Sequence, residues 1–445
     1  MSPFSLVSGL AALSFGALSA SAYDPSRTDN LAVYWGQNSY GATHSGDTAN
    51  YQKNLSHYCQ DDTIDAIPMA FVNVFFGAGG LPSLDLSNVC NVVDSPVFPG
   101  TNLPNCTFLA EDIKTCQSKG KIVTLSLGGA TGAAGFASAD QATAFGDTIW
   151  NVFLGGKNDT RPFGDAELDG IDLDIEGGST QYFDSFVKRV RDLANAANKK
   201  VYVTGAPQCA FPDAYMSTVL NSAEFDAVYV QFYNNFCSLP NFNNPNAWNF
   251  DQWDGWAKNT SLNKDVKIFI GAPASSSAAG SGYVDAATLA SIASETRSKY
   301  SSFGGIMLWD ASQAYANNRF DKAVKAALGQ GSSPSPSSAS ASGKPSAASS
   351  VKSAQSAKFT YVKINAAESC ANIFPWVANV AYNGSEKVIH NGRLFTAKQW
   401  TSGSTPGRAG SDWRDNGECG SFTSAIPTQT SAFVSAESSA PTTTQ

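Results

Sequence analysis

Residues 169–176 read Asp-Gly-Ile-Asp-Leu-Asp-Ile-Glu. Strand side chains alternate faces, so Asp172, Asp174 and Glu176 line one face while Ile171, Leu173 and Ile175 line the other. Three carboxyls at successive same-face positions cannot all ionise cheaply, and at least one holds a proton near neutral pH. A protonated carboxyl beside an ionised one is what general-acid chemistry requires. A cation site, or a solvated edge strand with one polar face, would use the same residue types. The place of the motif inside a barrel-like series of strands favours catalysis over both. Only three histidines occur, His44, His57 and His390, and they are scattered. That leaves little for a His-based metal site or a Ser-His-Asp triad, and no cofactor or metal is expected.

Such a constellation needs a rigid frame. Short apolar, β-branched or aromatic runs recur at Leu31–Trp35, Ala66–Val74, Ile122–Leu127, Gly170–Ile175, Val201–Thr204, Ala227–Tyr233, Val266–Ile270 and Gly305–Trp309. Segments with helical patterning, such as Ser138–Phe153 and Tyr182–Ala197, lie between most of them. Strands alternating with helices predict a parallel sheet, and eight such units over about 300 residues predict an α/β fold, a (β/α)₈ TIM barrel. Active-site groups of such barrels sit at the C-terminal strand ends. Glu176 falls at the end of the fourth candidate strand. Other runs end in small, polar or aromatic groups: Trp35-Gly36-Gln37-Asn38, Leu127-Gly128-Gly129 and Phe232-Tyr233-Asn234-Asn235.

The 445-residue chain has room for more than this barrel. Residues 1–22 carry an apolar run and end Ala20-Ser21-Ala22, the pattern of a secretory signal, although Lys and Arg are missing from its first residues. The barrel is expected over 23–330. Residues 331–357, dominated by Ser and Ala with Pro and Lys, read as an O-glycosylated linker. Aromatic density returns in 358–420, between Phe359 and Trp413, as a small β-rich module nearly bracketed by Cys370 and Cys419. A Ser/Thr-rich tail, 421–445, ends without the hydrophobic stretch of a GPI signal. Eight cysteines in a secreted chain fit four disulfides. Asn54, Asn105, Asn158, Asn259 and Asn383 each begin an Asn-x-Ser/Thr sequon, so a glycoprotein is expected. The net charge of −8 argues against nucleic acid or an anionic membrane as partner. No later stretch is apolar and long enough to span a bilayer. A secreted, extracellular or wall-associated monomer is the expectation.

The octapeptide resembles the Asp-Gly-x-Asp-x-Asp-x-Glu signature of family 18 glycoside hydrolases, the chitinase family. Residues 30–328 resemble the plant and fungal class III chitinases, with further matches at Ala32-Val33-Tyr34-Trp35-Gly36-Gln37-Asn38, Leu125-Ser126-Leu127-Gly128-Gly129, Ala206-Pro207-Gln208-Cys209, Gln231-Phe232-Tyr233-Asn234-Asn235 and Gly305-Ile306-Met307-Leu308-Trp309. The resemblance implies hydrolysis of β-1,4-linked N-acetylglucosamine polymers. It implies Glu176 as general acid and Asp174 as the residue orienting the substrate acetamido group. Asp172 would exchange a proton with Asp174, and Tyr233 would hydrogen-bond the acetamido carbonyl. Trp309 would floor the −1 sugar site; Tyr34, Phe71, Gln231 and Asn234 would line the cleft. The family is a substrate-assisted exception to the two-carboxylate scheme. Asp174 and Glu176, roughly 7 Å apart along one strand, are poorly placed to straddle a sugar, whereas the acetamido oxygen can serve as nucleophile. Similarity to class III enzymes further implies the disulfides Cys59–Cys116, Cys90–Cys106 and Cys209–Cys237, with Cys370–Cys419 closing the C-terminal module.

Residues 371–419 resemble the chitin-binding modules of carbohydrate-binding families 5 and 12, through Trp376, Tyr382-Asn383-Gly384, Asn391-Gly392, Ala397-Lys398-Gln399-Trp400-Thr401, Pro406-Gly407 and Trp413. The family commonly has Ala-Lys-Trp-Trp-Thr where Gln399 stands here. Trp376, Trp400 and Trp413 are the expected sugar contacts, and chitin and its oligosaccharides the expected partners. Two rivals share the barrel: a non-catalytic chitin lectin, and an endo-β-N-acetylglucosaminidase acting on N-glycan cores. Retention of Asp172, Asp174, Glu176 and Tyr233 disfavours the first, and the chitin-binding module disfavours the second.

Overall fold

A computed structural model describes residues 23–130, 134–330, 376, 381–382, 387–398, 401–402, 404–408 and 411–418. The chain divides into two compact units, Met1–Ser342 and Gly343–Gln445. In the first, nine strands run in order: β1 (Asn30–Val33), β2 (Ala66–Val74), β3 (Ser83–Leu84), β4 (Ile122–Gly129), β5 (Gly170–Ile175), β6 (Tyr202–Gly205), β7 (Ala227–Gln231), β8 (Lys267–Pro273) and β9 (Phe303–Trp309). All except β3 pair in parallel, and the contact Ala32↔Ala66 between β1 and β2 closes the ring. The result is the expected eight-stranded TIM barrel. Each of the eight apolar runs is a barrel strand. The addition is β3, which lies antiparallel on β2.

Two-residue alternation sorts the side chains into two cores. Leu31, Val33 and Trp35 point out of the barrel, as do Ile171, Leu173 and Ile175, and pack beneath the helices. Ala32, Tyr34, Tyr229, Tyr233, Phe269 and Met307 belong to the second core, inside the ring. Alternating Ala with Tyr along β1 and β7 suits the confined interior, where small and bulky residues from neighbouring strands interdigitate. Two of the surrounding helices start where the sequence supplies an oxygen cap. Ser138 Oγ accepts from Gln141 N before helix Ala139–Phe153, and Asp285 accepts from Ala287 N and Thr288 N before helix Ala286–Lys299.

Disulfides join Cys59–Cys116, Cys90–Cys106 and Cys209–Cys237, as the resemblance implied. Cys370 and Cys419 lie outside the described residues, as do the signal segment, residues 331–357 and the tail. In the second unit, β10 (Ala381–Tyr382) pairs with β13 (Thr401–Ser402). β11 (Lys387–His390), β12 (Arg393–Ala397) and β14 (Trp413–Glu418) form an antiparallel three-stranded sheet. Its small core is Val388, Phe395, Ala397 and Trp413, with Trp376 packed against it.

Candidate active site

β5 delivers three carboxyls to the same side, and each meets a different environment. Asp172 is fully buried. Its Oδ2 accepts from the hydroxyls of Tyr34 at 2.7 Å and Ser126 at 2.6 Å, and its Oδ1 from Thr204 at 2.6 Å. Burial raises its carboxyl above the usual range, against the opposing pull of those three donors. β4, β6 and the residue just after β1 each contribute one hydroxyl to this collar. Gly128, at φ +109°, lets β4 run close to β5: a Cβ there would sit 2.5 Å from Asp174 O.

Asp174 and Glu176 form the working pair. Burial, then the charges of Glu176 and Asp172, push the Asp174 carboxyl well above the usual carboxylate range, and its hydrogen bond to Glu176 acts in the same direction. Glu176 is half-buried just past the end of β5. Burial raises it too, opposed by hydrogen bonds from Gln231 and Asp174. Gln231 Nε2 also donates to Asp174 Oδ1 at 3.1 Å and to Ala206 O at 2.9 Å, which fixes the Asp174 side chain. Two like charges in a low-dielectric pocket cannot both persist, so the pair retains a proton where an ordinary carboxyl has lost one. Burial and the negative charges of Asp174 and Glu176 raise the Tyr233 hydroxyl far enough that it stays a donor.

These groups open into a cleft of about 330 Å³, lined among others by Phe71, Gln231, Tyr233, Asn234 and Trp309. Phe71 lies nearly parallel to Trp309, with ring centroids 6.0 Å apart. Asn234, at φ +56°, is held by Ser281 N donating to its Oδ1. Tyr34 is placed differently from the expectation that it lines the cleft. It is 1% exposed, inside the barrel, where its hydroxyl binds Asp172, so it supports the site from below. The expected proton exchange between Asp172 and Asp174 has no hydrogen bond to carry it among the described residues; both Asp172 oxygens are taken by hydroxyls. In the C-terminal module Trp413 is 4% exposed and its indole N–H donates to Ser404 O, which makes it core rather than an open sugar face. Trp376 is half-buried, its ring edge-on to His390. Trp400 and Gln399 lie outside the described residues.

Gln37, Asn73 and Asp85 also line the cleft and were not among the expected contacts. Gln37 stands in a stretch that the resemblance already marked, and Asn73 shares a strand face with Phe71. Asp85 follows a two-residue strand that carries no periodic signal.

Comparison with known proteins agrees with this geometry. Residues 30–288 match glycosyl hydrolases family 18, and residues 375–414 match carbohydrate-binding module family 5/12. "Chitinase 2" of Rhizopus oligosporus is 48% identical over 304 residues, which is 68% of this chain and 53% of that protein. The chain therefore spans about half the length of that relative. Among solved structures, a chitinase from Ipomoea carnea superposes with TM-score 0.55 at 35% identity, over 67% of this chain and 99% of that one. A xylanase and alpha-amylase inhibitor protein from Scadoxus multiflorus superposes with TM-score 0.54 at 32% identity, over 66% and 97%.

Proposed function

Because the chain belongs to glycosyl hydrolases family 18, we propose that it is a secreted chitinase that cleaves β-1,4 bonds between N-acetylglucosamine units with retention of configuration. The observation that carries this reading is the placement of Asp174 and Glu176 together in one cleft with Tyr233 and Trp309, where burial raises the proton affinity of both carboxyls. An inhibitor on a similar barrel means that the fold alone decides nothing. The Asp174–Glu176 pair, and the collar of hydroxyls on Asp172 beneath it, favour catalysis.

In the proposed sequence the sugar at the −1 position rests on Trp309. Its acetamido N–H donates to Asp174, which passes its proton to Glu176. Tyr233 donates to the acetamido carbonyl oxygen and aims it at C1. As Glu176 protonates the departing glycosidic oxygen, the C1–O bond breaks and the acetamido oxygen bonds to C1, giving an oxazolinium ring. Ionised Asp174 offsets the positive charge on that ring. Glu176, now a carboxylate, takes a proton from the incoming water, which attacks C1 and reopens the ring. Two inversions return the β configuration.

Digestion of the chitin hexamer followed by NMR tests this reading. The first product should be the β anomer, and fully deacetylated oligomers should resist cleavage. Initial α product, or equal rates on oligomers without acetyl groups, would rule out the acetamido nucleophile.

A further inference from the structure

Phe71, Asn73 and Asp85 form one wall of the cleft. The backbone of Asp85 is pinned opposite Phe71: Asp85 N donates to Phe71 O and Phe71 N to Asp85 O, both at 2.9 Å. Opposed residues of an antiparallel pair share a face, as do residues two apart on a strand. All three side chains accordingly line the cleft. The charged polar group that this wall leaves open is an acceptor, the Asp85 carboxylate. Asn73 Oδ1 is buried and has no partner. Asp85 Oδ1 accepts from Ser87 N at 2.7 Å, and among the described residues nothing donates to Oδ2 and no cation pairs with the carboxylate. The neighbouring donor, Gln37 Nε2, is committed to the carbonyl oxygens of Ala70 at 2.9 Å and Asp85 at 3.0 Å. Among the described residues, the charged ones lining the cleft are Asp85, Asp174 and Glu176, and no Lys, Arg or His lines it.

We propose that Asp85 is a specificity-determining residue that selects partly deacetylated chitin, by accepting the ammonium group of a glucosamine unit against the Phe71–Asn73–Asp85 wall. This rests on the chitinase reading above. The unit whose bond is cut must keep its acetyl group, because that carbonyl oxygen is the nucleophile. A unit elsewhere in the cleft has no such requirement. An acetylated unit offers the wall a neutral amide N–H and hydroxyls. A deacetylated unit offers charged N–H donors to Asp85 Oδ2, and charge-assisted hydrogen bonds are about twice as strong as neutral ones.

The test digests partly acetylated chito-oligomers and sequences the products by mass spectrometry, reading the glucosamine content at each position counted from the cut. Wild-type products should be enriched in glucosamine at one fixed position away from the cleaved unit. Asp85→Asn should lower that enrichment about fivefold, the scale of one partly exposed charge pair. About 1 M salt, which shortens the screening length to about 3 Å, should lower it in the wild type without any variant having to fold. No enriched position in the wild type, an unchanged profile in Asp85→Asn, or an enrichment indifferent to salt would each overturn the proposal. So would loss of turnover on every oligomer by a folded Asp85→Asn, since Asp85 would then belong to the chemistry. Failure of the chitinase reading looks different: the wild type would leave the fully acetylated hexamer uncut.

Discussion

Among the three signature carboxyls, Glu176 is the one that stands half-buried in the cleft, while Asp174 lines it almost fully buried and Asp172 is sealed beneath. In the proposed mechanism Glu176 is the acid, so Glu176→Gln should reduce kcat by a factor of about 10² to 10⁴ while oligosaccharide binding persists. Turnover above a few per cent of wild type would remove Glu176 from the acid's role. Asp172 acts at one remove. Its charge is among the causes that lift Asp174, and the proton of the Asp174–Glu176 pair depends on that lift. Asp172→Asn keeps the shape and removes the charge. The pair's affinity for its proton then falls, the proton leaves at a lower pH, and the alkaline limb of the pH–rate profile moves toward acid. An alkaline limb that stays in place would show that Asp172 serves only as a hydrogen-bond acceptor. Much of this arrangement was legible beforehand, because period-two alternation puts Asp172, Asp174 and Glu176 on one face whatever the surrounding fold. Tyr34 was not legible in the same way. An aromatic at a strand end can point into a cleft or support its floor, and only the ring closure between β1 and β2 places its hydroxyl on Asp172.

At the scale of elements, the loops after β6 and β7 hold the upper rim of the site together. Asn235 Nδ2 donates to Gln208 Oε1 at 2.9 Å, and the Cys209–Cys237 disulfide ties the same two loops beside Tyr233 and Asn234. The residues are 28 apart in sequence, and closing a loop of that length stabilises the folded chain by about 3–4 kcal/mol in the chain-entropy account. Replacing both cysteines with serine should therefore lower Tm by several degrees. Calorimetry with and without reductant would check this; an unchanged Tm would mean that the two loops are already fixed by packing. The eight barrel strands were readable because each is a concentrated apolar run buried on both faces. β3 was not, since Ser83 and Leu84 gain their pairing from β2 rather than from any pattern of their own. With β3 went the position of Asp85, which is why the polar part of one wall of the cleft escaped a reading of the sequence that found Phe71 beside it.

For the whole molecule, the question is what the second unit adds. Its described core buries Trp413 with Val388, Phe395 and Ala397, which leaves Trp376 and Trp400 as the remaining candidates among the three tryptophans for an aromatic platform. A tethered binding unit raises the effective concentration of a catalytic barrel at a solid substrate, and does nothing for a soluble oligomer that diffuses freely. Removing residues 331–445 should accordingly lower activity on insoluble chitin while leaving hydrolysis of short soluble oligomers nearly unchanged. Trp376→Ala in the full chain should weaken retention on chitin if that ring stacks on sugar. Losing a sugar-facing ring that buries on the order of 50 Å² amounts to roughly 1 kcal/mol, somewhat less than tenfold in affinity. Because Trp376 also packs against the module's core, thermal unfolding of the variant must be followed alongside its binding isotherm. A lower isotherm with an unchanged transition places the sugar on Trp376. A lower isotherm with a lower transition reports a damaged core, and Trp400→Ala then becomes the deciding variant. If truncation itself leaves the isotherm on insoluble chitin unchanged, the second unit does not hold chitin, and the barrel's own cleft must account for all attachment to the solid.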